Sequence, residues 1–109
     1  MNRRDVLKLG AAAALTPFAG GAAPRPAVHR IEMARMRFGA VPAGIKAGDT
    51  ILWVNRDVVR HTATARDGSF DVDLAAGASG RSVAHRAGTF AFYCRFHPGM
   101  RGTLSVAAR

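Results

Sequence analysis

Residues 88–100 read Gly-Thr-Phe-Ala-Phe-Tyr-Cys-Arg-Phe-His-Pro-Gly-Met, and they join a strand pattern to a loop rich in metal-binding side chains. Phe90, Phe92 and Cys94 are spaced two residues apart, so a β-strand over residues 89–94 places them on one face. Two aromatic residues on that face indicate that it points into a core. Cys94 is therefore expected to emerge inward at the end of its strand.

The rest of the chain alternates short extended segments with turns. Turns are expected at Lys46-Ala47-Gly48-Asp49, Asp67-Gly68 and Ala87-Gly88. Further extended segments are expected at residues 28–38, 51–54, 61–65, 81–84 and 102–107. The alternation slips near Ala34-Arg35, which suggests a bulge or a bend. No segment after the N-terminus has a helical period, and several short strands at regular spacing predict an all-β fold, a β-sandwich.

The N-terminus has the pattern of an export signal. Arg3 and Arg4 precede a short apolar stretch and then a run of small residues, as in twin-arginine signal peptides. We expect a cleavable signal peptide over residues 1–22, a flexible segment over 23–30 and a single domain over 31–109. The alternative is a cytosolic amphipathic helix. No run of 18 apolar residues exists, so no membrane span is expected. The signal predicts a periplasmic location in a bacterium.

The chain is strongly basic, with a formal net charge of +9. Residues 23–109 retain 13 basic and 6 acidic residues, an excess of seven positive charges. These charges are scattered between the extended segments, without any nucleic-acid-binding signature, so no nucleic-acid partner is expected. Two interpretations remain: a solvated basic surface, or a surface that docks an acidic redox protein.

Cys94, His97 and Met100 lie in one seven-residue window, and Cys94 is the only cysteine in the chain. In an oxidising compartment a lone cysteine is buried, reactive, paired with another molecule or bound to a metal. A thiolate, an imidazole and a thioether suit copper best, and His61, 33 residues upstream, offers a second imidazole. Zinc would favour a set without the thioether.

Other polar residues are candidates for supporting the metal ligands, and the two remaining histidines are not. Asn55, Thr62 and Thr64 are candidates for orienting the histidine rings through hydrogen bonds. His29 and His85 have no comparable neighbours, and we expect them to be surface residues.

The segments 88–102 and 46–56 resemble the copper loop and an upstream strand of the amicyanins, a group within the plastocyanin/azurin family of cupredoxins. The resemblance covers about residues 31–107. It implies a Greek-key β-sandwich with one copper ion in a type 1 (blue) site. It implies His61, Cys94 and His97 in the metal plane, with Met100 as the axial ligand.

The sequence departs from this pattern at Thr62, where the family usually has Asn. The hydrogen bond that ties the two ligand loops must then come from a hydroxyl. Arg95, directly after the cysteine, brings a backbone donor near the thiolate.

The resulting expectation is a periplasmic one-electron carrier and not an enzyme. The alternatives are a periplasmic copper chaperone or copper-resistance protein, and a thiol enzyme in which His97 activates Cys94. The expected partners are acidic redox proteins, a dehydrogenase or a c-type cytochrome, and the carrier is expected to be a monomer. His97 is the expected point of electron exchange, with Arg60, Arg95 and Arg101 flanking the two histidines.

Overall fold

The protein is a sandwich of two four-stranded sheets, in a computed structural model that describes residues 25–109. The strands are β1 (Val28–Ala34), β2 (Arg37–Phe38), β3 (Thr50–Asn55), β4 (His61–Ala65), β5 (Asp71–Leu74), β6 (Ser79–Val83), β7 (Gly88–Tyr93) and β8 (Arg101–Val106). One sheet has the order β2-β1-β3-β6 and the other β5-β4-β7-β8. No helix occurs in the described part of the chain, and the predicted all-β sandwich is confirmed.

The first strand begins earlier than the expected domain boundary at residue 31. β1 pairs in parallel with β3 from Val28 opposite Thr50 onward, so residues 28–30 belong to the sheet. The other strand pairings are antiparallel. The predicted signal peptide, residues 1–22, lies outside the described residues.

The slip in alternation near Ala34-Arg35 is a tight hairpin turn between β1 and β2. Arg35 and Met36 both have positive φ, 53° and 59°, as both central residues of a type I′ turn require. Neither is a glycine, so the turn needs support from outside. Asp57 provides it by accepting hydrogen bonds from both backbone N–H groups, at 2.7 and 2.9 Å.

The core between the sheets is built around aromatic rings. Phe92 meets Trp53 edge to face at 5.2 Å between ring centroids, and Phe38 at 4.8 Å. The Trp53 indole donates to the Ser82 hydroxyl at 2.9 Å, so its polar atom is satisfied. Phe90, Phe92 and Cys94 are all buried, which confirms the predicted inward face of β7 and the residue that follows it.

Strand β5 was not predicted from the sequence. It contains Asp71 and Asp73, and aspartate is depleted in strands, so the local pattern favours a loop. Both aspartates are exposed and β5 pairs along β4, which places two carboxylates beside the strand that carries His61.

Among the described residues, no helix has the length and apolar character needed to cross a membrane.

Candidate metal centre

Four donor residues meet at one end of the sandwich because three strand ends converge there. His61 is the first residue of β4, Cys94 follows β7, and Met100 directly precedes β8. The donor atoms of His61, Cys94 and His97 all lie within 4.8 Å of one another. The structure therefore brings together the residues that the sequence predicted.

The distance from the cysteine sulfur to each imidazole nitrogen fits a shared metal ion. Nδ1 of His61 lies 3.8 Å from Sγ of Cys94, and Nδ1 of His97 lies 3.6 Å from the same sulfur. A divalent first-row ion bonds nitrogen at about 2.0 Å and sulfur at about 2.3 Å, and a 120° angle then separates the two donors by about 3.7 Å. The three side chains are thus spaced for one shared ion.

The ligand loop folds back on itself through backbone hydrogen bonds. The N–H of Cys94 donates to the carbonyl of Met100 at 3.1 Å, and the N–H of Met100 donates to the carbonyl of His97 at 2.8 Å. Met100 is 4% exposed and belongs to the same core cluster as Cys94.

Burial distinguishes the two histidines. His61 and Cys94 are completely buried, whereas His97 is partly exposed. Since Nδ1 of His97 faces the thiolate, the other edge of this ring is its route to the surface.

Comparison with known proteins agrees with this geometry. The sequence profile of the Cupredoxin-like domain family matches residues 7–106. The chain belongs to the cupredoxin-like family.

Two amicyanins are similar to this cupredoxin in sequence. Amicyanin of Paracoccus versutus is 30% identical over 96 residues, which cover 83% of this chain and 72% of the relative. Amicyanin of Paracoccus denitrificans is 26% identical over 106 residues, which cover 84% and 73%. A solved structure of a Cu(I) form of an amicyanin methionine-to-alanine mutant matches with a TM-score of 0.65 and 26% identity, covering 84% of this chain and 91% of that one. The chain is an amicyanin-like cupredoxin, and copper is its cofactor.

A carboxylate that the sequence analysis missed orients His61 in this cupredoxin. Nε2 of His61 donates to Asp57 at 2.7 Å, which leaves Nδ1 free to face the sulfur. The Met36 N–H and the His61 ring, in that order, hold the pKa of the Asp57 carboxyl below its usual range. The signal that the sequence offered for this contact was a carboxylate four residues before a candidate ligand.

The residues predicted to orient the rings do not touch them. The side-chain amide of Asn55 donates to the carbonyls of Val59, Leu74 and Ala75, and its oxygen accepts the N–H of Asp57. Asn55 thus shapes the loop that carries Asp57. The prediction for Asn55, Thr62 and Thr64 is wrong because loop geometry brings Asp57 to the ring instead.

Thr62 ties the two ligand loops together, as expected from its hydroxyl. Its Oγ1 accepts the N–H of Arg95 at 2.8 Å, and its own N–H donates to Sγ of Cys94 at 3.3 Å. The Arg95 N–H is therefore engaged by Thr62 and does not donate to the thiolate. The backbone group that donates to the Cys94 sulfur is the N–H of Thr62.

The arginines near the site are less available than the sequence suggested. Arg60 pairs with Asp73 at 2.9 Å, and Arg95 pairs with Asp71 at 3.2 Å and with Asp73 at 3.7 Å. Their charge is balanced by the unpredicted strand β5. Arg101 forms no ion pair with any other described residue.

The two remaining histidines lie outside the site. His85 is exposed, as predicted. His29 is not a simple surface residue, because its Nε2 lies 2.8 Å from a carboxylate oxygen of the buried Asp49.

Proposed function

We propose that this cupredoxin is a one-electron carrier that binds a single copper ion through His61, Cys94 and His97, with Met100 as the axial ligand. The observation that carries the proposal is the pair of sulfur–nitrogen distances, 3.6 and 3.8 Å, which would suit three side chains that share one ion. Copper in such a site supplies a Cu(I)/Cu(II) couple and an intense sulfur-to-metal charge-transfer absorption.

The protein's own contribution is a largely buried pocket held together by hydrogen bonds. Asp57 fixes the ring of His61, backbone bonds close the ligand loop, and Thr62 anchors that loop to β4. Donors held in this way change position little when the charge of the site changes. A small change in donor positions between the two oxidation states supports fast electron exchange in both directions.

Burial favours a carrier over the alternatives. A copper chaperone must release its ion, whereas His61 and Cys94 are completely enclosed. The same enclosure disfavours a thiol enzyme, because a substrate would need access to the Cys94 sulfur. We infer that the protein is not an enzyme.

Electron exchange is assigned to the exposed edge of His97. Two large apolar side chains close in sequence to the histidines are also exposed. Phe96, next to His97, is 49% exposed, and Val58, three residues before His61, is 92% exposed. An apolar surface around a ligand ring suits brief contact with a redox protein. We propose an acidic partner, a dehydrogenase or a c-type cytochrome, and a monomeric, exported, periplasmic carrier.

The visible spectrum of the purified protein with Cu(II) tests this function. We expect one copper ion per chain and intense visible absorption, because the Cys94 thiolate would be bound directly to the copper. Cys94→Ser should abolish the absorption, while Ser105→Ala, an exposed change on β8, should leave it intact. Stoichiometric Cu(II) binding with only faint absorption would refute the blue-copper assignment.

A further inference from the structure

A chain of hydrogen bonds leads from the ligand loop to a carboxylate at the surface. The Arg95 N–H donates to Thr62 Oγ1 at 2.8 Å, Thr62 Oγ1 lies 2.9 Å from Thr64 Oγ1, and Thr64 Oγ1 lies 2.7 Å from Oδ1 of Asp71. The side chain of Arg95 returns to the same Asp71 oxygen at 3.2 Å. The four residues form a closed ring that begins and ends on the residue after Cys94.

The carboxylate sets the direction of the two hydroxyl bonds in this ring, and the Arg95 N–H groups can only donate. Asp71 only accepts, so the Thr64 hydroxyl must donate to it. Thr64 Oγ1 is then free to accept from the Thr62 hydroxyl, and Thr62 Oγ1 is free to accept from the Arg95 N–H. Thr62 and Thr64 are 0% and 8% exposed, so water cannot readily replace either bond.

The ring determines which backbone groups reach the sulfur. With the Arg95 N–H held by Thr62, the Thr62 N–H at 3.3 Å is the backbone donor to Cys94 Sγ among the described residues. Hydrogen bonding around the cysteine sulfur is one of the properties that set the reduction potential of a blue-copper site.

We propose that Asp71 is a positioning residue of the copper site. It acts through Thr64 and Thr62 to hold the Arg95 N–H away from the Cys94 thiolate. This role rests on the proposed function. It is distinct from the ion pair between Asp71 and Arg95, which is about half exposed and adds little by itself.

The test compares Asp71→Ala and Thr64→Val with Asp73→Ala. Asp73 lies two residues along the same strand, carries the same charge and also approaches Arg95. Its backbone pairs with Thr62 across the sheet, but its carboxylate is not hydrogen-bonded to either threonine hydroxyl. Thr64→Val keeps the shape of the side chain and removes the hydroxyl. Thr64→Ser restores the hydroxyl and serves as the rescue variant.

The first measurement is hydrogen exchange of the Arg95 amide in the copper-free protein. Asp71→Ala and Thr64→Val should speed it about two- to tenfold, the range that weakening one hydrogen bond gives. The second is the copper-loaded protein, in which both variants should raise the reduction potential and shift the charge-transfer band. The reason is that a released N–H can donate to the sulfur and withdraw electron density from it. Thr64→Ser and Asp73→Ala should resemble the wild type.

Two outcomes would overturn the proposal while the proposed function stands. One is a blue wild-type protein whose Asp71 and Thr64 variants leave the potential and the Arg95 amide unchanged. The other is an equal shift in Asp73→Ala, which would make the effect one of charge alone. A wild type without intense absorption would overturn the carrier function as well.

Discussion

At the scale of single residues, Met100 is expected to tune the copper site without building it. An axial thioether is a weak, long ligand, whereas the two imidazoles and the thiolate hold the ion in its plane. Met100→Leu and Met100→Gln should therefore keep one copper per chain and shift the reduction potential. Metal analysis together with a redox titration checks this. Loss of copper from both variants would mean that the thioether is a primary ligand.

The candidate donor residues could be chosen from the sequence because their chemistry is rare and local. Cys94, His97 and Met100 share one window, and His61 begins a strand whose pattern the sequence shows. Asp57 could not be assigned in the same way, since its contact with His61 depends on how Asn55 shapes the loop between them. Spacing identifies ligands more readily than the groups that orient them.

At the scale of strands, the pairing of β7 with β8 depends on a glycine. Gly102 lies opposite Phe92, and a Cβ at Gly102 would come within 2.4 Å of the Phe92 ring. Gly102→Ala must displace a ring that packs against Trp53 and Phe38, so we expect a loss of about 1–3 kcal/mol in the free energy of unfolding. Urea unfolding of the copper-free protein measures it, with Ser105→Ala as the exposed control on the same strand. Equal midpoints for the two variants would contradict the close packing.

The start of β3 is held by a buried carboxylate at the end of the sandwich opposite the metal centre. Asp49 is 2% exposed and accepts the N–H groups of Ala27 and Lys46, at 3.0 and 2.9 Å. It also contacts His29 and the Arg109 side chain. The Ala27 N–H, then the His29 ring, then the Lys46 N–H hold the pKa of Asp49 well below its usual range.

This depressed pKa predicts a dependence of stability on acid. The ionised carboxylate stabilises the fold above its unfolded pKa of about 4, and that contribution is lost as the pH falls toward the folded pKa. Asp49→Asn should be less stable than the wild type at pH 6, and the difference should shrink toward pH 2. Urea midpoints across this range measure it, with Asp73→Asn as an exposed control. A difference that stays constant with pH would rule out the ionised carboxylate as its source.

The elements that the sequence missed, or expected only as a bulge or a bend, are those in which tertiary contacts override local preference. β5 pairs along β4 although it carries Asp71 and Asp73, and the turn at Arg35-Met36 is supported by an aspartate 21 or 22 residues away. In contrast, β7 was predicted closely because its alternating aromatic residues match its burial. β4 was also placed correctly, although all five of its residues are buried and no alternation appears in its burial. The ion pairs of Arg60 and Arg95 depend on the carboxylates of β5. They could not be predicted because β5 itself was not predicted.

At the scale of the whole molecule, the excess of positive charge is unevenly compensated. Arg60 and Arg95, beside the candidate copper ligands, are paired with the carboxylates of β5. Arg101 directly follows Met100, is exposed and forms no ion pair with the described residues. The charge available to an approaching partner near the ligand loop is therefore centred on Arg101, not spread over all three arginines.

Reversal of this charge tests whether it guides docking. Arg101→Glu should slow electron exchange with an acidic c-type cytochrome about tenfold at low salt, because attraction becomes repulsion near the exposed edge of His97. The effect should fade above about 0.1 M salt, where the Debye length is about 10 Å. Arg81→Glu makes the same change in net charge on β6, in the other sheet, and should slow exchange less. Both variants should keep the wild-type spectrum. Equal exchange rates for the Arg101→Glu and Arg81→Glu variants, or rates that do not depend on salt, would contradict a docking role. The positive charge would then only keep the surface solvated.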